Sequence, residues 1–189
     1  GTLDRISNGV GKLKNFTLSE LRKLNIGVKH GWNVTFCTPE EVVEQLAGRV
    51  VFNIHLKEHG EDGILIRKLC DLVEKYDAHK SVYFAASPSE LEWMQRLAPE
   101  IERTAIQLPK DQIGIFEMAE RYECTRVQFW NGMFDEELIR RLHERGIVCN
   151  LYHAETPEEY SQYFDMGIDT LLTNRMDLAA EYKKTSNWF

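Results

Sequence analysis

Long apolar runs are missing from this chain. No stretch approaches the roughly 18 consecutive apolar residues that a membrane-spanning helix needs. Basic charge is also scarce: Lys and Arg number 23 against 30 for Asp and Glu, giving a formal charge of −7. That balance speaks against a nucleic-acid backbone or an anionic membrane as the main partner, because both reward basic patches. Cysteines are few and scattered, at Cys37, Cys70, Cys124 and Cys149. With no CxxC or comparable spacing they read as neither a disulfide framework nor a zinc site, and Cys70 and Cys149 read as small core hydrophobes. No secretory leader is legible. The chain opens with Gly1 rather than Met, so location is left open between the cytoplasm and export of a soluble protein.

What is present is an ordinary globular composition, 43% hydrophobic and 28% charged over 189 residues, enough for one domain with a hydrophobic core. After residue 50, short apolar runs alternate with amphipathic helical stretches. Strands are expected at 50–57, 81–86, 103–108, 126–130, 147–152 and 169–174. Helices are expected at 63–78, 87–99, 111–123, 135–146 and 156–167, with a last helical piece before the "TSNWF" tail. Ser87 with Pro88 and Thr156 with Pro157 mark helix starts, while Gly146 and Gly167 mark stops. The charged helix "EELIRRLHER" offers i,i+4 pairs such as Glu137 with Arg141 on a solvated face.

Six strand-helix units in succession mean parallel strands joined by right-handed crossovers. Two architectures satisfy that pattern, an open doubly wound sheet and a (β/α) barrel. No Gly-rich dinucleotide loop follows any strand, and polar residues recur near strand ends: Lys57, Ser87, Gln107, Asn131, His153 and Asn174. In a barrel these ends converge on one face, which favours the barrel. The fold class expected is therefore α/β, a TIM-barrel-like parallel repeat with about six of eight strands present. Residues 1–49 differ: a loop-like opening, then two short helices at 17–24, with Thr17 and Glu20 spaced as a capping box, and 38–48, begun by Thr38 and Pro39. The whole is expected to form a single domain, 1–189.

"VVFNIHLKE", residues 50–58, carries the sharpest question. Alternation along a strand puts Asn53, His55 and Lys57 on one side, with Ile54 and Leu56 on the other. Three polar groups on the inner side of a core strand are costly unless paired or used. The bland reading is a histidine held by neutral hydrogen bonds inside a barrel. His59 and His79 read as surface loop residues.

Several stretches together resemble glycerophosphodiester phosphodiesterases. "TLDRISNGVG" resembles the family's "T-L-D-R-T-[TS]-N-G-x-G" segment, and "CTPEEVVEQ" sits where the family has "P-T-L-E-E". "VVFNIHLKE" is similar to "N-I-E-[IL]-K", "RGIVCNLYHAETPEEY" to "G-x-x-V-x-x-W-T-V-N-[DT]-P-E-E", and "MGIDTLLTNRMD" to "L-G-V-D-G-I-I-T-D-x-P". The resemblance spans nearly the whole chain in order. It implies a TIM barrel, a phosphoric diester hydrolase of glycerophospholipid metabolism, a small phosphodiester as ligand, and a divalent metal, Ca²⁺ or Mg²⁺.

By the same resemblance, the family's His-Arg, Glu-x-Asp and His-Asp elements, which carry the acid-base pair and two metal ligands, would lie ahead of residue 1. His55 stands where the family has its third acidic metal ligand. Lys57 matches the lysine near the phosphate, and Tyr152 replaces a tryptophan that walls the glycerol. Asn174 replaces the aspartate of "T-D", and Ala85, Ala86 and Ser87 replace a "S-[SF]" strand ending. His55 and His153 are the remaining candidates for catalysis. The expectation is a degenerate active site, a pseudoenzyme in effect, on a retained scaffold. The alternative is a non-catalytic binding or assembly module, a homodimer or other oligomer that covers the open strand edges.

Overall fold

The computed structural model describes residues 2–108 and 113–186, which fall into two compact units, Gly1–Ala47 and Gly48–Phe189. The first residues of the helix expected at 111–123, and the tail residues Trp188 and Phe189, lie outside the described residues.

The first unit is turn-rich, with two short helices, α1 (Leu18–Leu21) and α2 (Pro39–Leu46). Both begin in a capping box: Thr17 accepts from the Glu20 N–H and Thr38 from the Glu41 N–H, and each glutamate accepts in return from its threonine's backbone. Two orphan donors are satisfied at each helix start, a local device readable from Thr-x-x-Glu. The loops are held by asparagine side chains. Asn25 Oδ1 accepts from the Gly27 and Val34 N–H groups and its Nδ2 donates to the Trp32 carbonyl, while Asn8 Oδ1 accepts from the Asn25 N–H. A Cβ at Gly27 would sit 2.6 Å from the Trp32 carbonyl oxygen, so only glycine permits that turn.

The second unit carries the architecture. Strands β1 (Phe52–His55), β2 (Val82–Ala86), β3 (Glu102–Ile106), β4 (Arg126–Trp130), β5 (Val148–Tyr152) and β6 (Thr170–Leu172) pair in sequence order, all parallel. Helices α3 (Ile64–Lys75), α4 (Pro88–Leu97), α5 (Ile115–Arg121), α6 (Glu136–His143), α7 (Pro157–Asp165) and α8 (Met176–Thr185) follow each strand in turn. The sheet curls into a half-barrel. Its curl is visible in one contact, the Asn53 amide of β1 donating to Gln128 Oε1 of β4 at 3.2 Å, across two intervening strands.

The two faces of the sheet have different chemistry. Phe84, Ala86, Ala105, Val127, Phe129, Cys149 and Leu151 point outward and close a single apolar core with Ile66, Leu69, Leu91, Met94, Met118, Ile139 and Leu142 of the helices. Every residue of β2 is buried, as expected of a central strand covered on both sides. The α3 start depends on Gly63, at φ 75°, where a Cβ would meet Leu97 Cδ1 at 2.3 Å. The outer face of α6 is charged as expected, but its pairs differ. Arg140 bridges Glu137 and Glu144, while Arg141 turns over the Phe116 ring at 4.5 Å. Stacking on an aromatic face shields more of the guanidinium's apolar surface than a solvated i,i+4 pair would.

Arg103, on the outward side of β3, is a buried charge inside this layer. Its guanidinium donates to the carbonyls of Tyr122 (2.9 Å) and Pro99 (3.1 Å), with longer contacts to those of Ala98, Ile101 and Glu123. It thus ties the chain after α4 to the chain after α5 with one side chain, its donors directed at backbone carbonyls that follow both helices.

Candidate functional site

Parallel strands present their C-terminal ends together, and in a (β/α) barrel that end carries the chemistry. Below it, the concave face of the half-barrel is a polar layer. Besides the Asn53–Gln128 bond, Asn150 Nδ2 lies 3.5 Å from the Tyr83 hydroxyl, and Arg126 stacks over the Tyr83 ring at 4.7 Å while pairing with Glu102 at 3.1 Å. Burial pushes the Tyr83 hydroxyl above its ordinary range, partly offset by the Arg126 charge. Gln128 and Asn150 are buried with it.

His55 does not behave as the bland reading expects. It closes β1 in an exposed position, and none of the described hydrogen bonds engages its ring; Asn53, one pleat deeper, fills the interior role instead. β1 ends at His55, and Lys57 lies exposed beyond it. Partial burial of the ring lowers the His55 pKa, the Lys57 ammonium lowers it further, and Glu90 opposes both. Burial and the ammonium together favour the neutral over the charged imidazole.

Glu90 is the carboxylate of this rim, and sequence reasoning passed over it. It is 7% exposed and accepts from two hydroxyls, Ser87 Oγ at 2.8 Å and Ser89 Oγ at 2.6 Å. Burial raises its pKa, but the two hydroxyls, its backbone and His59 outweigh that and leave it lowered overall. His59, expected as a surface loop residue, is half-buried, with its ring stacked on Trp93 at 5.0 Å and its Nδ1 3.7 Å from Glu90 Oε1. The signal available in sequence was Ser87-x-x-Glu90, the capping-box spacing, beside the strand end.

The opposite rim gathers β4, β5 and β6. Tyr152 is half-exposed and meets the Trp130 ring edge-on at 4.9 Å, forming an aromatic wall. His153 Nε2 lies 3.3 Å from Glu155 Oε1, the same oxygen that accepts from the Asn174 side-chain amide at 2.7 Å. Asn131 donates to the His153 carbonyl at 3.0 Å. Glu155 therefore organises this rim, again unforeseen, since nothing in "HAETPEE" singles it out from its acidic neighbours. Asn174 is occupied with Glu155. His55 closes β1 and His153 follows β5, and no described hydrogen bond or ion pair joins them or gives them a shared partner.

A Ca²⁺ or Mg²⁺ ion seeks several oxygen ligands. At the β1 end it would meet an imidazole, the Lys57 ammonium and a carboxylate already accepting from two hydroxyls. At the β5 end the Glu155 oxygen nearest the rim is shared by an imidazole and an amide. The donor set at the mouth of the described residues does not fit a hard divalent cation. Among the described residues, the three-residue His/Cys/Asp/Glu group with ligand atoms close together is His143, Cys149 and Asp169, at the other end of the sheet.

No helix of the described residues is long and apolar enough to cross a membrane. Residues 1–178 match the profile of the glycerophosphoryl diester phosphodiesterase family. A glycerophosphodiester phosphodiesterase of Caldanaerobacter subterraneus subsp. tengcongensis is 25% identical over 186 residues, covering 92% of this chain and 73% of the relative. The fold is similar to that of an Oleispira antarctica phosphodiesterase solved with the product sn-glycerol-3-phosphate, at TM-score 0.80 and 17% identity, covering 97% of this chain and 76% of that one. It is similar also to a glycerophosphodiester phosphodiesterase from Agrobacterium tumefaciens, at TM-score 0.78 and 19% identity, covering 97% and 78%. At these identities the likeness to the solved structures concerns the fold, a TIM barrel of which six strands are seen here.

Proposed function

Because the chain belongs to the glycerophosphoryl diester phosphodiesterase family, we propose that it is a phosphodiesterase-like protein whose mouth binds a small phosphate ester and is impaired in cleaving it. The observation that carries this reading is the β1 end. An imidazole, His55, lies in the field of the Lys57 ammonium where the resemblance calls for an acidic metal ligand.

Each group has a part it can play. Lys57, exposed beyond β1, supplies the positive charge for a phosphate. Tyr152, backed by Trp130, offers an apolar face to a glycerol backbone. His153, fixed by Glu155, donates a hydrogen bond to an ester oxygen when protonated. General acid or base help of that kind is worth about 10²–10⁴-fold. Enzymes of full power reach ~10⁶–10¹⁷-fold, much of it from preorganised charge on the transition state. Proton transfer at this mouth, unsupported by a hard cation, leaves the barrier largely intact.

The test is hydrolysis of a simple glycerophosphodiester by the purified 189-residue chain with Ca²⁺ or Mg²⁺, an EDTA control, and calorimetric titration with glycerol 3-phosphate. The expected result is no metal-dependent turnover together with binding that weakens on Lys57→Ala. Metal-dependent turnover lost on His55→Ala would sink the reading of impairment.

A second reading, an assembly module, rests on a separate observation: β1 and β6 each pair on one side only in the six-stranded sheet. Open edges template association, and a homodimer is its simplest closed form. Sedimentation velocity decides it, a strictly monomeric chain across the micromolar range counting against assembly.

A further inference from the structure

At the N-terminal end of the sheet, opposite the mouth, three elements bring together side chains that the function above does not use. His143 is the last residue of α6, Cys149 the second of β5, and Asp169 the residue before β6. Asp169 Oδ2 lies 3.0 Å from His143 Nε2 and accepts the Cys149 N–H at 2.7 Å. One nitrogen, one sulfur and one oxygen ligand atom fall within 4.8 Å of one another. From these positions we infer that His143, Cys149 and Asp169 form a binding site for a zinc-type divalent ion, distinct from any site at the mouth.

Three features support it. First, the donor set is selective: a thiolate with an imidazole and a carboxylate suits Zn²⁺ or Co²⁺ and disfavours Ca²⁺ and Mg²⁺. Second, the Cys149 sulfur has only a long contact, 3.9 Å to the Ile147 carbonyl, so no strong bond must be surrendered. Third, two of the three ligands are open to solvent over the fully buried Cys149, with room to close. The His143 and Asp169 side chains are 39% and 41% exposed, and Gly167 beside them carries no Cβ, one placed there coming within 3.7 Å of His143 Cε1. Ligand atoms around a tetrahedral zinc, at bond lengths of ~2.0–2.3 Å, stand about 3.3–3.8 Å apart. Closure from the present spacing is a matter of about 1 Å, within reach of side-chain rotation at His143 and Asp169.

The exchange balances as a proton release. The ion takes the electron pair of the Cys149 sulfur, and the thiol proton leaves to solvent as the metal–sulfur bond forms. Binding therefore strengthens as pH rises. The bound ion would staple α6, β5 and the loop before β6, leaving a fourth position for water. Sequence spacing concealed the trio, because its members lie 6 and 20 residues apart in chain order.

Co²⁺ alone is the probe. Titrated into the intact chain, it should give one equivalent of thiolate-to-cobalt charge-transfer absorption in the near ultraviolet. That band should vanish in Cys149→Ser, weaken at least tenfold in apparent affinity in His143→Ala, and persist in Cys37→Ser and Cys70→Ser. Zn²⁺ should displace it and raise the melting temperature of the unsubstituted chain by a few degrees. No band, a band that survives Cys149→Ser, or one lost with Cys37→Ser overturns the proposal. Should Cys149→Ser not fold, His143→Ala decides alone: its side chain is exposed at a helix end, and unchanged cobalt affinity there is equally fatal.

Discussion

Replacing Arg103 by methionine keeps most of the side chain's length and apolar stem while removing all five donors. In the native chain the Tyr122 and Pro99 carbonyls accept from it at 2.9 and 3.1 Å; beside it the Tyr122 oxygen has only a long contact to the Cys124 sulfur, 3.9 Å, and no other described hydrogen bond reaches Pro99. A buried acceptor left without a partner costs about 1–3 kcal/mol. Two such acceptors give about 2–6 kcal/mol, reduced because a buried guanidinium no longer has to be desolvated, so we expect a net loss of about 2–4 kcal/mol. The salt bridge to Glu123 adds little, since the glutamate side chain is 77% exposed. With a urea dependence of about 2 kcal/mol/M, the unfolding midpoint should drop by about 1–2 M. Circular dichroism through a urea titration measures it. A drop below about 0.3 M would mean that water takes over the carbonyls at no cost, and that Arg103 does not tie the chain after α4 to the chain after α5.

Thr156→Ala removes one half of the capping box at the start of α7, where Thr156 accepts from the Glu159 N–H; the same urea titration should show a loss of about 1 kcal/mol, and no loss would mean the box is ornamental. His55 should titrate below 6.5 by NMR, and Lys57→Ala should raise its midpoint, since the ammonium is one of the two causes that depress it. The sign follows from proton counts: between the folded midpoint and 6.5 the unfolded chain holds more protons, so this group's contribution to stability is complete above 6.5 and is lost as pH falls through the folded value. An unmoved midpoint in Lys57→Ala removes the electrostatic account of the β1 end. Alkylation followed by mass spectrometry should label exposed Cys37 first and Cys70, its thiol pushed up to about 11, far more slowly. Cys124 and Cys149, buried and raised to about 12, should label only on unfolding, and early labelling of either would contradict their burial.

Periodicity and punctuation carried most of the fold. The expected strand at 126–130 is β4 to the residue, and 147–152 begins one residue before β5, because apolar runs bounded by helix stops leave little freedom. Thr38, Thr156 and Pro157 placed helix starts for the same local reason. The strand at 50–57 was read too long, since Val50 and Val51 have strand-like side chains but are exposed outside the ladder. The site was less legible. His55, Lys57, Tyr152 and His153 do lie at strand ends, yet their partners are set by curl and by loops: Glu90 through two serines, Glu155 through Asn174, Asn53 through Gln128 75 residues away. No short window along the chain contains the last two pairs, and the Ser87-x-x-Glu90 spacing reads as a helix cap rather than as part of a site. Arg103 escaped notice for a related reason, as one arginine in a strand gives no hint that backbone carbonyls surround it.

The half-barrel separates what holds it together from what faces a ligand. Phe84, Val127, Phe129 and Leu151 point outward from the sheet and are almost fully buried against helices. Truncating a buried aromatic of that kind costs about 3–5 kcal/mol. The residues of the mouth lie at or beyond the last ladder positions, and substitutions at exposed positions generally stay within about 0.5 kcal/mol of neutral. His55, Tyr152, His153 and Asn174 can therefore change without a change of fold, since no core contact depends on them. Selection for folding alone would retain the capping boxes, the outward apolar faces and the buried arginine while leaving the mouth free to drift. The proposed function rests on that difference: the six strands keep their outward apolar faces, while the β1 end pairs an imidazole with an ammonium. A fold match thus constrains the outward faces of these strands far more tightly than it constrains their ends, and activity has to be argued at the ends alone.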